Sequence, residues 1–165
     1  MHFEEFAREE LPDLVRFAAV LTGDRELAQD VVQDALVRAH QQWRRVAAAD
    51  RPKLYLRKMV VNGYLSWRRR WYQRSVQTTP DVTRFTEAAA PDHADRIADA
   101  DRLATLLATL SRAQRAAIVL RFYEDLDDSE IAEMLGCAAG TVRSHISRGL
   151  GALRVRIADG KQITC

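Results

Sequence analysis

The stretch Asp127–Arg154 limits the possible folds of this chain more than any other, because it reads as two short helices joined by a tight turn. Asp127 can cap the first helix, and Glu130, three residues later, completes a capping-box pattern. Gly136 follows the apolar residues of that helix, where a helix commonly ends in a left-handed residue. The stretch therefore predicts a helix-turn-helix unit.

The second helix of this unit is expected to begin near Gly140 or Thr141, and its two faces differ in chemistry. Apolar residues recur at helical spacing, in the order Val142, Ile146, Leu150, Leu153 and Ile157. Small, polar and basic residues occupy the other side, and no acid occurs between Glu133 and Asp159. Such a helix fits the major groove of DNA, where arginine can bind guanine or phosphate. The alternative is an ordinary amphipathic surface helix.

The low content of glycine and proline and the absence of strand-like periodicity predict an all-α protein, which we expect to contain two small helical domains. The 165 residues contain only seven glycines and four prolines, and no segment alternates as a strand would. A stretch of weak periodicity around Pro80 and Pro91 is acidic and rich in alanine and threonine, as linkers often are. We therefore expect a helical domain at 1–75, a flexible linker at 76–97 and the helix-turn-helix domain at 98–160. Ser111 and Gln114 form a second capping-box pattern within the last of these.

The first domain is expected to contain several helices whose outer faces differ in charge. A short helix at Phe3–Ala7 should precede a second one that starts at Pro12, because proline is tolerated in a first helical turn. Asp24 should cap a long helix. The side of that helix that faces solvent or a partner carries Asp30, Gln33, Asp34 and Arg38.

A basic helix is predicted to follow Pro52, because residues 51–74 contain many bases and no acid. Tyr55, Trp67 and Trp71 are interleaved with these bases. Aromatic rings among arginines can hold unpaired nucleotides by stacking while the charges neutralise the backbone. The alternative is an aromatic core stripe with a solvated basic end.

Several classes of protein are disfavoured by the remaining features of the sequence. The two cysteines, Cys137 and Cys165, are too few to staple a fold, and no apolar signal segment or bilayer-spanning run is present, so we expect a cytoplasmic protein. The histidines are scattered, and no nucleophile–base pair or carboxylate cluster is visible, so we expect no enzyme, cofactor or metal site. Residues 124–128 lack the glycine and ligand spacing of an EF-hand.

Taken in order, these motifs resemble an extracytoplasmic-function (ECF) sigma factor of bacterial RNA polymerase, closest to its SigE-like group. Three segments carry the resemblance: Asp30-Val31-Val32-Gln33-Asp34, Met59-Val60-Val61-Asn62 through Arg70, and Gly140-Thr141-Val142-Arg143-Ser144 through Arg148. The resemblance implies a transcription initiation factor that binds core polymerase, directs it to promoters and aids strand opening. It implies contacts with the β′ coiled coil and the β flap of the polymerase, and with promoter DNA.

The resemblance also assigns roles to individual residues. Polymerase binding is expected of Asp30, Gln33, Asp34 and Arg38. Recognition of the promoter −10 element is expected of Arg57, Lys58, Asn62, Ser66, Trp67, Arg68, Arg69 and Arg70. Recognition of the −35 element is expected of Thr141, Arg143, Ser144, His145, Ser147 and Arg148. Asn62 can offer donors and an acceptor to one extruded base; the alternative is that it merely caps a helix or hydrogen-bonds a loop.

Two residues depart from the family pattern, and three other protein classes compete with this interpretation. Ala138 stands where members often have a capping serine, and His145 where a basic residue is common. The third helical domain and the acidic extension of housekeeping sigma factors have no counterpart, so we expect no built-in autoinhibition of that kind and inhibition by an external anti-sigma protein instead. The competitors are a two-component regulator, which needs an α/β receiver domain, an enzyme acting on nucleic acid, and a membrane-surface protein that uses the basic helix. We expect no membrane partner.

Overall fold

The computed structural model describes the backbone of residues 1–74 and 102–162 and the side chains of residues 1–66 and 102–160. Its helices are α1 (Phe3–Thr22), α2 (Arg25–Gln41), α3 (Trp43–Ala47), α4 (Pro52–Arg74), α5 (Arg112–Phe122), α6 (Asp128–Leu135) and α7 (Ala139–Gln162). Residues 102–107 are also helical. The described part of the chain contains no strand, so the all-α prediction is confirmed and a receiver domain at residues 1–74 is not present. The predicted linker at 76–97 lies outside the described residues.

Helix α1 differs from the prediction, because one continuous helix replaces the expected pair and Pro12 lies inside it. An interior proline removes one backbone hydrogen bond and usually costs about 3 kcal/mol. Phe6 and Leu14, on either side of the proline, are both buried in the same core. Continuing the helix keeps both side chains on one buried face, which offsets the cost of the proline.

The N-terminal module, residues 1–74, is built from α1, α2 and α4 around a shared apolar core, with the short α3 joining α2 to α4. Asp24 caps α2 as predicted, since its carboxylate accepts a hydrogen bond from the Leu27 amide at 3.2 Å. Tyr55, one of the aromatic residues interleaved with the bases of α4, is half-buried against this core, and Tyr64 is buried in it. The side chains of Trp67 and Trp71 lie outside those that the structure describes.

The C-terminal module, residues 102–162, contains the predicted helix-turn-helix as α6 and α7. Both capping boxes are formed, by Ser111 with Gln114 and by Asp127 with Glu130. Gly136 ends α6 in the left-handed conformation, at φ 67°. The apolar stripe of α7 is buried at Val142 and Ile146 but exposed at Ile157, because α7 extends beyond the helices that cover its first half.

The two modules contact each other, which the sequence did not predict. A single cluster of buried residues runs from the N-terminal module into α5. The rings of Phe17 and Tyr123 lie 6.2 Å apart, and an Arg115 Nη2 atom donates a 2.8 Å hydrogen bond to the carbonyl oxygen of Val20. Helix α5 therefore packs on both α1 and α4 while it supports the helix-turn-helix.

Candidate nucleic-acid interface

The face of α7 predicted to read the −35 element is open to solvent. Thr141, Arg143, Ser144, Ser147 and Arg148 are exposed, and His145 is half-buried. Between them, Val142 is fully buried and Ile146 nearly so. The structure therefore places the six predicted residues along the first turns of one helix, with the apolar side held in the core.

Close contact between α7 and α5 fixes this orientation. A Cβ atom added to Gly149 would lie 2.5 Å from Cδ1 of Ile118 and 3.5 Å from Cβ of Gln114. A larger residue at position 149 would require the end of the Ile118 side chain to move. The sequence analysis did not single out Gly149, because its role depends on which helix lies opposite.

The start of α6 is fixed by the Asp127 carboxylate, which accepts a hydrogen bond from the Glu130 amide at 2.9 Å and from the Ser129 hydroxyl at 2.8 Å. The hydrogen bond from the Glu130 backbone, followed by that from the Ser129 side chain, lowers the pKa of Asp127 below its ordinary value.

Asp128, the next residue, accepts a hydrogen bond from Arg121 and lies 3.5 Å from Nη1 of Arg143. Arg143 remains 64% exposed, so this weak ion pair leaves its guanidinium available to DNA.

Asn62 lies on an exposed face in the middle of α4. This position excludes the alternative that Asn62 caps a helix. The hydroxyl of Ser66 donates a 2.7 Å hydrogen bond to the backbone carbonyl of Asn62, so Ser66 is already satisfied within its own helix. The predicted contacts of Trp67, Arg68, Arg69 and Arg70 fall on side chains outside the described set.

Arg57, a predicted −10 residue, is not a free surface cation. Its side chain is only 12% exposed, and its Nε atom lies 2.6 Å from a carboxylate oxygen of Glu124. Its Nη1 atom lies 3.6 Å from the buried carboxylate of Glu10, which also pairs with Lys53. The hydrogen bond between Lys53 and Glu10 raises the pKa of Lys53, and the negative charge of Glu10 raises it further. The sequence analysis missed Glu10 and Glu124, because no local spacing relates them to Arg57.

The face of α2 predicted to bind polymerase is largely open. Asp30 and Gln33 are exposed, whereas Asp34 and Arg38 are half-buried and form an ion pair at 3.0 Å. The buried residues of α2, among them Val31 and Ala35, lie on its other side. Exposed polar groups beside a well-packed apolar face are available to a partner without disturbing the fold.

Two arginines of α5 hold the modules together. Arg112 donates a 2.7 Å hydrogen bond to the Tyr64 carbonyl, and its guanidinium lies 5.0 Å from the Tyr64 ring centroid. Burial raises the pKa of the Tyr64 hydroxyl and lowers the pKa of the Arg115 guanidinium. Arg115 is 4% exposed, and its Nε atom has no hydrogen-bond acceptor among the described residues.

Metal-binding clusters and membrane-spanning helices are both absent from the part of the chain that the structure describes. No three His, Cys, Asp or Glu side chains in that part of the chain are grouped so that they could hold a metal ion. None of the helices there combines the length and the apolar character that crossing a membrane requires.

Family models match both modules. The model described as "Sigma-70 region 2" matches residues 6–74, and the model described as "Sigma-70, region 4" matches residues 100–153. The chain is 34% identical to the RNA polymerase sigma-E factor of Streptomyces avermitilis over 154 residues, which cover 93% of this chain and 84% of the relative. It is also 34% identical to the ECF RNA polymerase sigma factor SigL of Mycobacterium tuberculosis over 147 residues, 88% of this chain and 83% of the relative.

Solved structures of similar fold agree with these matches. The sigma factor RpoE of Bartonella quintana, in complex with the anti-sigma factor NepR, is 27% identical, with a TM-score of 0.68 over 94% of this chain and 98% of that one. CnrH, in complex with the cytosolic domain of CnrY, has a similar fold, with a TM-score of 0.62 at 22% identity over 95% of this chain and 88% of that one.

Proposed function

The chain belongs to the extracytoplasmic-function sigma factors of RNA polymerase, initiation factors that direct the polymerase to promoters, and we propose a residue-level division of labour within it. Helix α2 binds core polymerase through Asp30, Gln33, Asp34 and Arg38. Helix α4 reads and opens the −10 element, and α7 reads the −35 element.

One observation above all supports this division. The first turns of α7 expose Thr141, Arg143, Ser144, Ser147 and Arg148 together, while Val142 and Ile146 anchor the same turns in the core. A rigid helix that presents short polar side chains and two arginines can enter the major groove, where such groups reach base edges and phosphates.

The role of α4 is supported by the exposed amide of Asn62 on a helix whose sequence is basic at both ends. An extruded base can be held through hydrogen bonds to its edge, and the cost of unstacking it is a few kcal/mol. The remaining bases of α4 can neutralise the phosphates of the separated strand.

We propose further that the chain acts in the cytoplasm by binding alone, without catalytic residues or a cofactor. This proposal is supported by the nature of its partners, since polymerase and promoter DNA are both cytoplasmic. An anti-sigma protein is a further proposed partner, because the similar RpoE was solved with one.

Reconstituted transcription tests the proposed function. Promoters would first be selected from genomic DNA with the complex of this chain and core polymerase, and then transcribed with and without the chain. We expect transcripts that start at fixed positions only when the chain is present. Polymerase that does not bind the chain, or that starts at the same positions without it, would contradict the proposal.

A further inference from the structure

Asp128, the first residue of α6, links three helices of the C-terminal module through two arginines. Its Oδ1 atom accepts a hydrogen bond from Nη2 of Arg121 on α5. Its Oδ2 atom lies 3.5 Å from Nη1 of Arg143 on α7. The cap of α6 is Asp127, so the carboxylate of Asp128 is directed at the two neighbouring helices.

The arginine on α5 anchors this carboxylate. Arg121 is 31% exposed, and its Nε atom is buried with no hydrogen-bond acceptor among the described residues. It lies in the last turn of α5, where the helix dipole favours a cation. To turn toward DNA, Arg121 would have to give up its carboxylate partner while it is still partly buried, which is costly. Arg121 therefore holds Asp128 in place.

The arginine on α7 is exposed, and its side chain runs back toward the start of that helix. Arg143 is 64% exposed. A Cβ atom added to Gly140, one turn earlier, would lie 3.7 Å from Nη2 of Arg143. Long side chains on a helix commonly point toward the preceding turn, and the first residues of a recognition helix are the ones that contact base edges. The guanidinium of Arg143 thus lies at the end of α7 where bases are read.

The pair between Asp128 and Arg143 matters for direction more than for stability. An ion pair as exposed as this one contributes little to the free energy of unfolding. Because Asp128 faces Nη1, the edge formed by Nε and Nη2 is available for two parallel hydrogen bonds to a base. The carboxylate also repels a phosphate at the same place, which disfavours the backbone as a partner for this guanidinium.

We propose that Asp128 is a positioning residue that determines specificity in −35 recognition, because it directs Arg143 to a base edge and away from the phosphate backbone. The proposal rests on the −35 role proposed for α7. Ordering one long side chain on binding weakens affinity by a factor of about 2–12, and a partner that orders the side chain in advance reduces this loss. Asp128 and Arg143 are 15 positions apart, so no local pattern in the sequence relates them.

Base preference measured position by position tests the proposal. The complex of the full chain with core polymerase would bind duplexes that carry a selected promoter and every single-base variant of its −35 element. Asp128→Asn keeps the shape of the side chain but offers an acceptor on one side only, so it cannot serve both arginines. We expect it to reduce the preference at one base pair by about threefold or more, at the position that Arg143→Ala also relaxes. Affinity for a mixed-sequence duplex should not fall, because the lost charge is negative.

A double-mutant cycle separates positioning from a structural role. In a chain that already carries Arg143→Ala, Asp128→Asn should change no base preference, because it acts only through that guanidinium. In a chain that carries Arg148→Ala, its effect should persist. Asp125→Asn is the control, since it loses the same charge from an exposed position nearby, whose φ of 55° asparagine tolerates. We expect no change of base preference in the control.

Circular dichroism would establish that each variant keeps its helix content. Asp128→Ser, which also lacks the charge, decides the matter if Asp128→Asn does not fold, and unfolding of both would show that Asp128 serves the fold. An unchanged preference overturns the proposal. So does a preference relaxed at every −35 position, an equal effect in the Arg143→Ala chain, or a loss of affinity for mixed-sequence DNA. Failure of the proposed function is distinguishable, because the unaltered chain would then show no −35 preference at all.

Discussion

Side chains of the same type have unequal roles in this protein, as its arginines show. Arg148 is exposed on α7, Arg143 is exposed beside Asp128, and Arg57 and Arg115 are enclosed between the modules. An exposed guanidinium can approach DNA at no structural cost, whereas an enclosed one must first give up its protein partners. Residue type therefore indicates a role only together with burial.

Arg143 and Arg148 can be distinguished by single substitutions to alanine. An arginine that reads a base should cost about 1–3 kcal/mol of binding and relax the preference at one position, whereas a phosphate contact should weaken all sequences alike and reduce the salt slope by about one. We expect at least one of the two to read a base. Binding of each variant to the selected −35 sequence and to its single-base variants measures this. Unchanged preference in both variants would refute the assignment.

Asn62→Ala is expected to impair strand separation while leaving polymerase binding and −35 binding near normal. Among the side chains of α4 that the structure describes, the exposed amide is well suited to the edge of one base, and its loss removes the hydrogen bonds that offset unstacking. Permanganate footprinting of the −10 region should show weaker opening. Templates with a pre-melted bubble should restore most of the lost transcription. A variant that melts the duplex normally would contradict this role.

At the scale of single elements, each helix end that the sequence predicted from a cap is found in place. The carboxylate of Asp24 starts α2, the hydroxyl of Ser111 starts α5, and Gly136 ends α6. Each device joins residues within a few positions of one another, so local sequence suffices to specify it. The ends of these helices are therefore set by local sequence, without any long-range contact.

The capping of α6 predicts a pH dependence. Asp127 has a lowered pKa in the folded chain, so its contribution to stability is present above its ordinary pKa and is lost as pH falls through the lower, folded value. Urea unfolding of the chain and of Asp127→Asn should therefore differ at neutral pH and converge in acid. A difference that persists at acid pH would show that the carboxylate charge is not responsible.

At the scale of the whole molecule, the exposed side of α2 and the contact between the modules are separate surfaces. Asp30 and Gln33 remain exposed although α5 and α6 pack against other parts of the N-terminal module. The same chain can consequently expose the face proposed to bind polymerase while its modules are in contact. This arrangement suits a protein that meets polymerase before it opens DNA.

Replacing both Gln33 and Asp34 by alanine should weaken polymerase binding and leave helicity and melting nearly unchanged. Gln33 is exposed, and the ion pair of Asp34 with Arg38 is a partly exposed pair within one helix, worth about 0.3–0.5 kcal/mol. Gln41→Ala, at an exposed position near the end of α2, is the control. A loss of stability as large as the loss of binding would show that the two residues serve the fold instead.

The sequence by itself determined the helical class, the caps and the two-faced helix α7, because these depend on residues three or four positions apart. Only the tertiary structure decided that α1 runs through Pro12, that Gly149 lies against Ile118, and that Arg57 pairs with Glu124. Arg57 and Glu124 are 67 positions apart, and periodicity shows which face of a helix is apolar but not which helix covers it. That choice depends on how all the apolar faces are buried together, and it set which of the predicted DNA-binding cations remain exposed.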